Sequence, residues 1–213
     1  MYLNSKYGDV TEHGERGAEP ITTPRRTGNA GFGRHGCGVR AQYGRCRAGG
    51  SFDFVSPGGK IEIFYDPPAS RGTIGDLTGP ALMTSDTIHL ADYAGKVVVI
   101  NIWGSWCGPC RTETPGLEQV FNETRQQGVQ FLGIDVRDSR SAAQDFVTDF
   151  HVRYPSIFDP SMRSLLALGS HYPTSVVPTT IVLDRRHRVA AVYLKALLPD
   201  DIRPEVQRLT TER

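Results

Sequence analysis

The chain has 213 residues, 38% hydrophobic and 22% charged, with a net charge of +1 from 24 basic and 23 acidic side chains. That length admits one globular domain of ordinary size with added sequence, or two small ones. The near-neutral balance gives no electrostatic reason for a nucleic-acid or anionic-membrane partner. Four cysteines, Cys37, Cys46, Cys107 and Cys110, are too few and too unevenly spaced for the disulfide framework of a small secreted domain, so core packing must hold the fold.

Residues 1–50 are rich in Gly, Arg, Thr, Glu and His, with apolar residues at neither helical nor strand period, and disorder is expected there. Cys37 and Cys46 lie in this stretch with His35 nearby. Their spacing matches no zinc pattern, and they are taken as unpaired thiols of a tail. No uninterrupted apolar run of the roughly 7–15 residues that a signal peptide needs is visible. Residues 51–81 form a separate stretch: FDFV (52–55) and IEIFY (61–65) both alternate around the turn cluster SPGGK, which predicts a β-hairpin extension ahead of the Pro-rich linker DPPASRG.

A regular pattern begins at 82 and defines a domain over 82–213. Short strands are expected around ALM and TIHL, then a buried strand over 97–102. VVVINIW, the longest apolar run, is strand-sized and well short of the ~20 residues of a membrane helix. A helix follows Cys107 to about Gln127, closed by Gly128. VQFLGIDV (129–136) is a second buried strand, and 139–150 and 161–169 read as helices. Strands at 179–184 and 189–194 flank the RRHR turn, and a polar helix closes the chain. Strand–helix alternation followed by an antiparallel pair predicts an α/β fold, a mixed sheet with helices on both faces.

The chemistry concentrates in NIWGSWCGPCRTETP (101–115). A zinc site would need a second ligand pair at suitable spacing, and none is present. Haem attachment requires a histidine directly after the second cysteine, where this chain has Arg111. A purely structural disulfide is possible in principle, but a tight ring at the mouth of a helix should be exposed and labile, so a redox pair is the better reading. Cys107 would sit in the first helical turn, where free N–H groups and the helix dipole stabilise a thiolate, and so acts as the nucleophile. Cys110, one turn deeper, would be shielded and resolve the mixed disulfide. Pro109 suits an early helical position, and Gly108 leaves room for a partner chain beside the sulfur. Trp106 is expected to shield the disulfide and offer an apolar contact, Trp103 to belong to the core, and Pro115 to kink the helix. The six histidines show no ligand spacing and receive no role.

Taken with DYAGKVVVINIWGSWCGPCRTETP, GIDVRD and VVPTTIVLD, the region 82–211 resembles the thioredoxin superfamily, and within it the TlpA/ResA-like thiol-disulfide reductases. The resemblance implies a thioredoxin-like fold, a redox-active Cys107–Cys110 disulfide and no other cofactor or metal. It places a cis-proline at Pro178, freeing the Val177 backbone to pair with an extended substrate. Thioredoxins proper carry a buried aspartate where this chain has Asn101. The ResA-like branch instead carries a glutamate three residues after the second cysteine, here Glu113, which would perturb the thiols and move the proton of the second displacement. The alternative for Glu113 is a solvated helix residue paired with Arg111 or Arg125.

By the same resemblance the protein is a monomeric reductant of protein disulfides, apocytochrome c being a frequent substrate. It would be resupplied by a membrane thiol transporter on the extracytoplasmic face of the cytoplasmic membrane. The alternatives are a general thioredoxin-like reductant, in the cytoplasm if the chain is not exported, a thiol peroxidase, and a polypeptide-binding module without turnover. GSWC lacks the threonine of a peroxidatic pocket, and two intact cysteines speak against the binding module.

Overall fold

The computed structural model describes residues 50–169 and 171–212. The expected disorder of residues 1–49 and the pair Cys37 and Cys46 lie outside the described residues. Eleven strands and α-helices follow in order: β1 (Glu62–Phe64), β2 (Thr78–Pro80), β3 (Thr87–His89), β4 (Val97–Trp103), α1 (Gly108–Thr124), β5 (Val129–Val136), α2 (Arg140–Asp149), β6 (Ser156–Asp159), β7 (Thr179–Leu183), β8 (Val189–Tyr193) and α3 (Pro199–Thr211). Six strands form one sheet in the order β1-β8-β7-β4-β5-β6, and β2 and β3 form a small antiparallel pair. Within the large sheet β4, β5 and β6 are parallel, while β7, β8 and β1 run antiparallel to their neighbours.

The central position of β4 follows from its sequence. All seven side chains of VVVINIW are buried, as a strand covered on both faces requires. Val97 and Val99 pack with Leu117, Val120 and Phe121 of α1 and with Ile202, Val206 and Leu209 of α3. Val98, Ile100 and Ile102 face the other way, onto Leu165 and Leu168 of a 3-10 helix and onto Phe52, Phe54, Leu77, Ile88 and Leu90 of the N-terminal segment. The sheet is therefore flanked on both faces, by long helices on one and by a single 3-10 helix with extended chain on the other.

Several elements differ from the sequence expectation. FDFV and IEIFY do not form a hairpin: β1 instead pairs with β8 as the outermost strand of the large sheet. The reason lies in both partners. Phe52 and Phe54 alternate because their rings enter the core, edge-on to Tyr65 and Tyr172, while β8 would otherwise present an unpaired backbone edge. The turn glycines Gly58 and Gly59, both at positive φ, carry the chain around a corner between them. ALM is not a strand; Ala81 makes one isolated bridge to Ile157, and the chain turns directly after it. The expected helix at 161–169 is a 3-10 helix over Arg163–Leu168. The strand β6, four residues long, has no counterpart in the sequence reading.

Gly133 in β5 illustrates how tightly the sheet is packed behind the cysteines. A Cβ there would overlap Ser156 Oγ and approach Trp103 Nε1 to 2.7 Å. Gly133→Ala should therefore cost about 1–3 kcal/mol through overpacking, read as a lower urea midpoint with an unchanged slope. A midpoint equal to that of the parent protein would show that Ser156 and Trp103 move aside freely.

Candidate active site

β4 ends at Trp103, and the loop 104–106 delivers Cys107 to the start of α1. Cys107 is the N-cap of that helix, and its Sγ accepts the Cys110 backbone N–H at 3.2 Å. Gly108 and Pro109 follow as the first helical residues, where Pro109 loses nothing by lacking an N–H. Cys107 and Cys110 are joined as a disulfide. Both are buried, at 3% and 0% exposure, which corrects the expectation of an exposed bridge: Trp103, Leu82, Ala143, Phe146 and Val147 close around the pair. A Cβ added at Gly108 would meet nothing within 4 Å, so the surface beside the sulfur is open there.

The loop is held by groups that look like ordinary surface charges in the sequence. The Ser105 N–H donates to Asp138 Oδ2 at 2.6 Å, and the Ser105 carbonyl accepts from Arg111 Nε and Nη2 at 3.1 and 2.9 Å. The Arg111 guanidinium also lies over Phe146, 5.5 Å from its centroid, a cation–π contact. Trp106 is 48% exposed. Its indole N–H donates to the Val136 carbonyl at 3.0 Å, and the Arg137 guanidinium lies 4.6 Å from its ring centre. It packs so closely on Gly104 that a Cβ there would overlap the indole. Trp106 thus lies anchored at the rim with half of its surface available to a partner.

Across from the disulfide, the Val177–Pro178 peptide is cis. The partly buried Val177 packs against the same apolar group that encloses both cysteines. Among the described residues no cluster of His, Cys, Asp or Glu has metal-holding geometry.

Glu113 is buried rather than solvated, and pairs with neither Arg111 nor Arg125. Its Oε1 accepts from Asn101 Nδ2 at 2.8 Å and its Oε2 from the Leu197 N–H at 2.9 Å. Burial pushes its carboxyl up to about 7, opposed by those two hydrogen bonds. Asn101 also donates to Thr180 Oγ1 at 3.1 Å, so β4, β7, α1 and the segment before α3 converge on one carboxyl group. Glu113 lies one helical turn beyond Cys110. Sequence reasoning singled out Asn101 only as a missing aspartate and gave no sign of Thr180 or Leu197, whose contribution is a backbone N–H 84 positions away.

The arrangement offers a buried dithiol-disulfide at a helix N-terminus, a half-exposed aromatic rim and a buried acid able to change protonation near neutrality. Residues 74–192 match the model of the AhpC/TSA family. The chain belongs to the AhpC/TSA family. Within its thioredoxin-like members it is 28% identical, over 136 residues, to the thiol-disulfide oxidoreductase ResA of Geobacillus thermodenitrificans, a match covering 62% of this chain and 76% of that one. It is 32% identical over 117 residues to ResA of Bacillus subtilis, covering 53% and 63%. Among solved structures, a DsbF homologue from Corynebacterium diphtheriae is 45% identical with a TM-score of 0.71, covering 75% of this chain and all of that one. A secreted thiol-disulfide isomerase from Corynebacterium glutamicum is 46% identical with a TM-score of 0.73, covering 77% and 100%. This family member is a thiol-disulfide oxidoreductase, and its substrates are proteins bearing disulfides.

Proposed function

We propose that the protein is a reductant of specific protein disulfides, acting through Cys107 and Cys110 with Glu113 as proton carrier. Its substrate on this reading is the haem-binding cysteine pair of apocytochrome c. The observation that supports it is the buried Glu113 carboxyl, one turn from Cys110 and poised near 7, joined to the likeness to ResA proteins. In the first displacement the Cys107 thiolate attacks a substrate sulfur, forming a mixed disulfide and releasing one substrate thiolate. In the second, Cys110 gives its proton to the Glu113 carboxylate, attacks Cys107 Sγ and expels the other substrate sulfur, which leaves with both electrons and takes a proton. The Val177 backbone and the exposed part of Trp106 receive the extended substrate segment. Electrons return from a membrane thiol transporter, and the setting is the extracytoplasmic side of the cytoplasmic membrane.

A second reading is favoured by the similarity to a secreted thiol-disulfide isomerase and a DsbF homologue: disulfide exchange or formation outside the cytoplasm on the same site. The reduction potential of the pair separates the two. A full-chain protein equilibrated with a dithiol buffer should give a value near or below roughly −270 mV, as for thioredoxin, and should reduce an apocytochrome c peptide carrying its disulfide. A value close to about −120 mV, as for a strong oxidant, would reverse the electron flow and overturn the reductant reading.

A further inference from the structure

Asp135, in the GIDVRD stretch, is a second buried acid that the reaction above does not use. It stands opposite Trp103 in the β4–β5 register, on the strand end that leads to the redox loop. The side chain is fully buried, and neither carboxylate oxygen has a hydrogen-bond donor. A buried ionised carboxylate without donors is costly, whereas the protonated acid needs only one acceptor.

The groups facing it come from three elements. Arg140, at the start of α2, is the cation, but its guanidinium is committed to the carbonyls of Ala81 and Leu82 at 2.9 and 2.7 Å and lies over Phe158. Asp159, at the end of β6, is satisfied by the backbone N–H groups of Arg163 and Ser164 and by the Ser161 and Ser164 hydroxyls. Asp138, in the turn after β5, is the acid next to it, and its carboxylate accepts the backbone N–H groups of Ser139 on Oδ1 at 2.8 Å and of Ser105 on Oδ2 at 2.6 Å. Burial first, and then the negative charge of Asp138, pushes Asp135 up to about 8. Asp138 is the same residue whose Oδ2 holds the Ser105 N–H two positions before Cys107.

We propose that Asp135 is a positioning residue of the redox site: its carboxyl proton bonds Asp138, which in turn holds the Ser105 backbone in front of Cys107, and loss of that proton releases the hold. Two neighbouring like charges repel, here with Asp135 fully buried and Asp138 half-buried. Ionised Asp135 therefore pushes Asp138 away from Ser105, and the loop over the enclosed disulfide loosens. The site is closed when the pair shares a proton and opens when it does not.

The inference rests on Cys107–Cys110 being the working pair, but on neither its electron direction nor its protein substrate. The test is accordingly made with a small dithiol. Dithiothreitol reduces the oxidised full-length protein to two thiols and is itself oxidised to its cyclic disulfide, and the rate is measured from pH 6 to 10 for the parent protein and for Asp135→Asn. Asparagine donates to Asp138 at every pH, as the protonated acid does. The ratio of the two rates, in which the titration of dithiothreitol cancels, should be flat below pH 7 and rise several-fold through about pH 8. A ratio flat to pH 10 overturns the proposal.

Should Asp135→Asn not fold, Asp138→Asn serves. Its oxygen can still accept from Ser105, but the neutral amide no longer repels ionised Asp135, so the step in the rate profile should disappear. A step left at its original pH overturns the proposal. If the step behaves as expected but no protein disulfide is ever reduced, the functional reading fails while the role of Asp135 stands.

Discussion

Cys110→Ser should abolish turnover, by at least ~10³-fold, while leaving the first chemical step intact, so that substrate accumulates on Cys107 as a stable mixed disulfide. The geometry separates the two sulfurs. Cys107 caps the helix next to the open surface at Gly108, whereas Cys110 lies wholly inside, behind Trp103 and Phe146. A protein partner therefore reaches Cys107 first. A serine hydroxyl in place of Cys110 fits the same volume but cannot displace a thiolate, and the adduct has no internal route to resolution. Cys107→Ser should abolish activity equally and trap nothing, because the remaining thiol is enclosed. The adduct is measured on non-reducing gels and by mass spectrometry of the cross-linked peptide. Recovery of substrate on Cys110 in the Cys107→Ser protein would reverse the assigned order of attack.

How much of this could be read from residues alone depends on whether the determining contact is local. β4 and β5 were legible because continuous apolar runs of strand length, bounded by glycine turns, have few other solutions. α1 was legible because Cys107, Pro109 and Gly128 mark its two ends, and Glu113 because one helical turn places it beside Cys110. The β1 pairing was not legible: alternation in FDFV and IEIFY records which side chains are buried, and that pattern is the same whether the strand pairs with its neighbour or with β8, far along the chain. β6 escaped because four residues after Pro155 carry too little pattern to distinguish a strand from a loop.

Within the site, Asp138 and Arg111 resemble solvated charges until the fold turns both onto the backbone of Ser105. The Leu197 N–H that fixes Glu113 has no side-chain signature at all. Each of these is a long-range meeting of ordinary groups, which local propensity does not encode.

Glu113→Gln provides the second large effect, because it separates the geometry of this acid from its charge. The parent carboxyl accepts from Asn101 and from Leu197. Glutamine keeps one acceptor for Leu197 and turns a donor towards Asn101, whose amide can flip so that its oxygen accepts from both glutamine and the Thr180 hydroxyl. The fold should therefore tolerate the change, while the proton carrier is gone. Substrate reduction should fall about 10²-fold, at the lower end of what a general acid-base contributes, and the inflection near pH 7 in the rate profile should vanish.

Stability supplies an independent check. The carboxyl titrates near 4.5 when unfolded and at about 7 when folded, so between those values the folded chain binds the extra proton. This stabilisation is complete below about 4.5 and lost as pH rises through 7, a decline on the order of 3 kcal/mol. In Glu113→Gln that part of the decline should be missing, so that relative to the parent the variant gains stability between pH 5 and 8 in urea melts. Parallel pH-stability curves, together with an unchanged rate profile, would return Glu113 to a purely structural role.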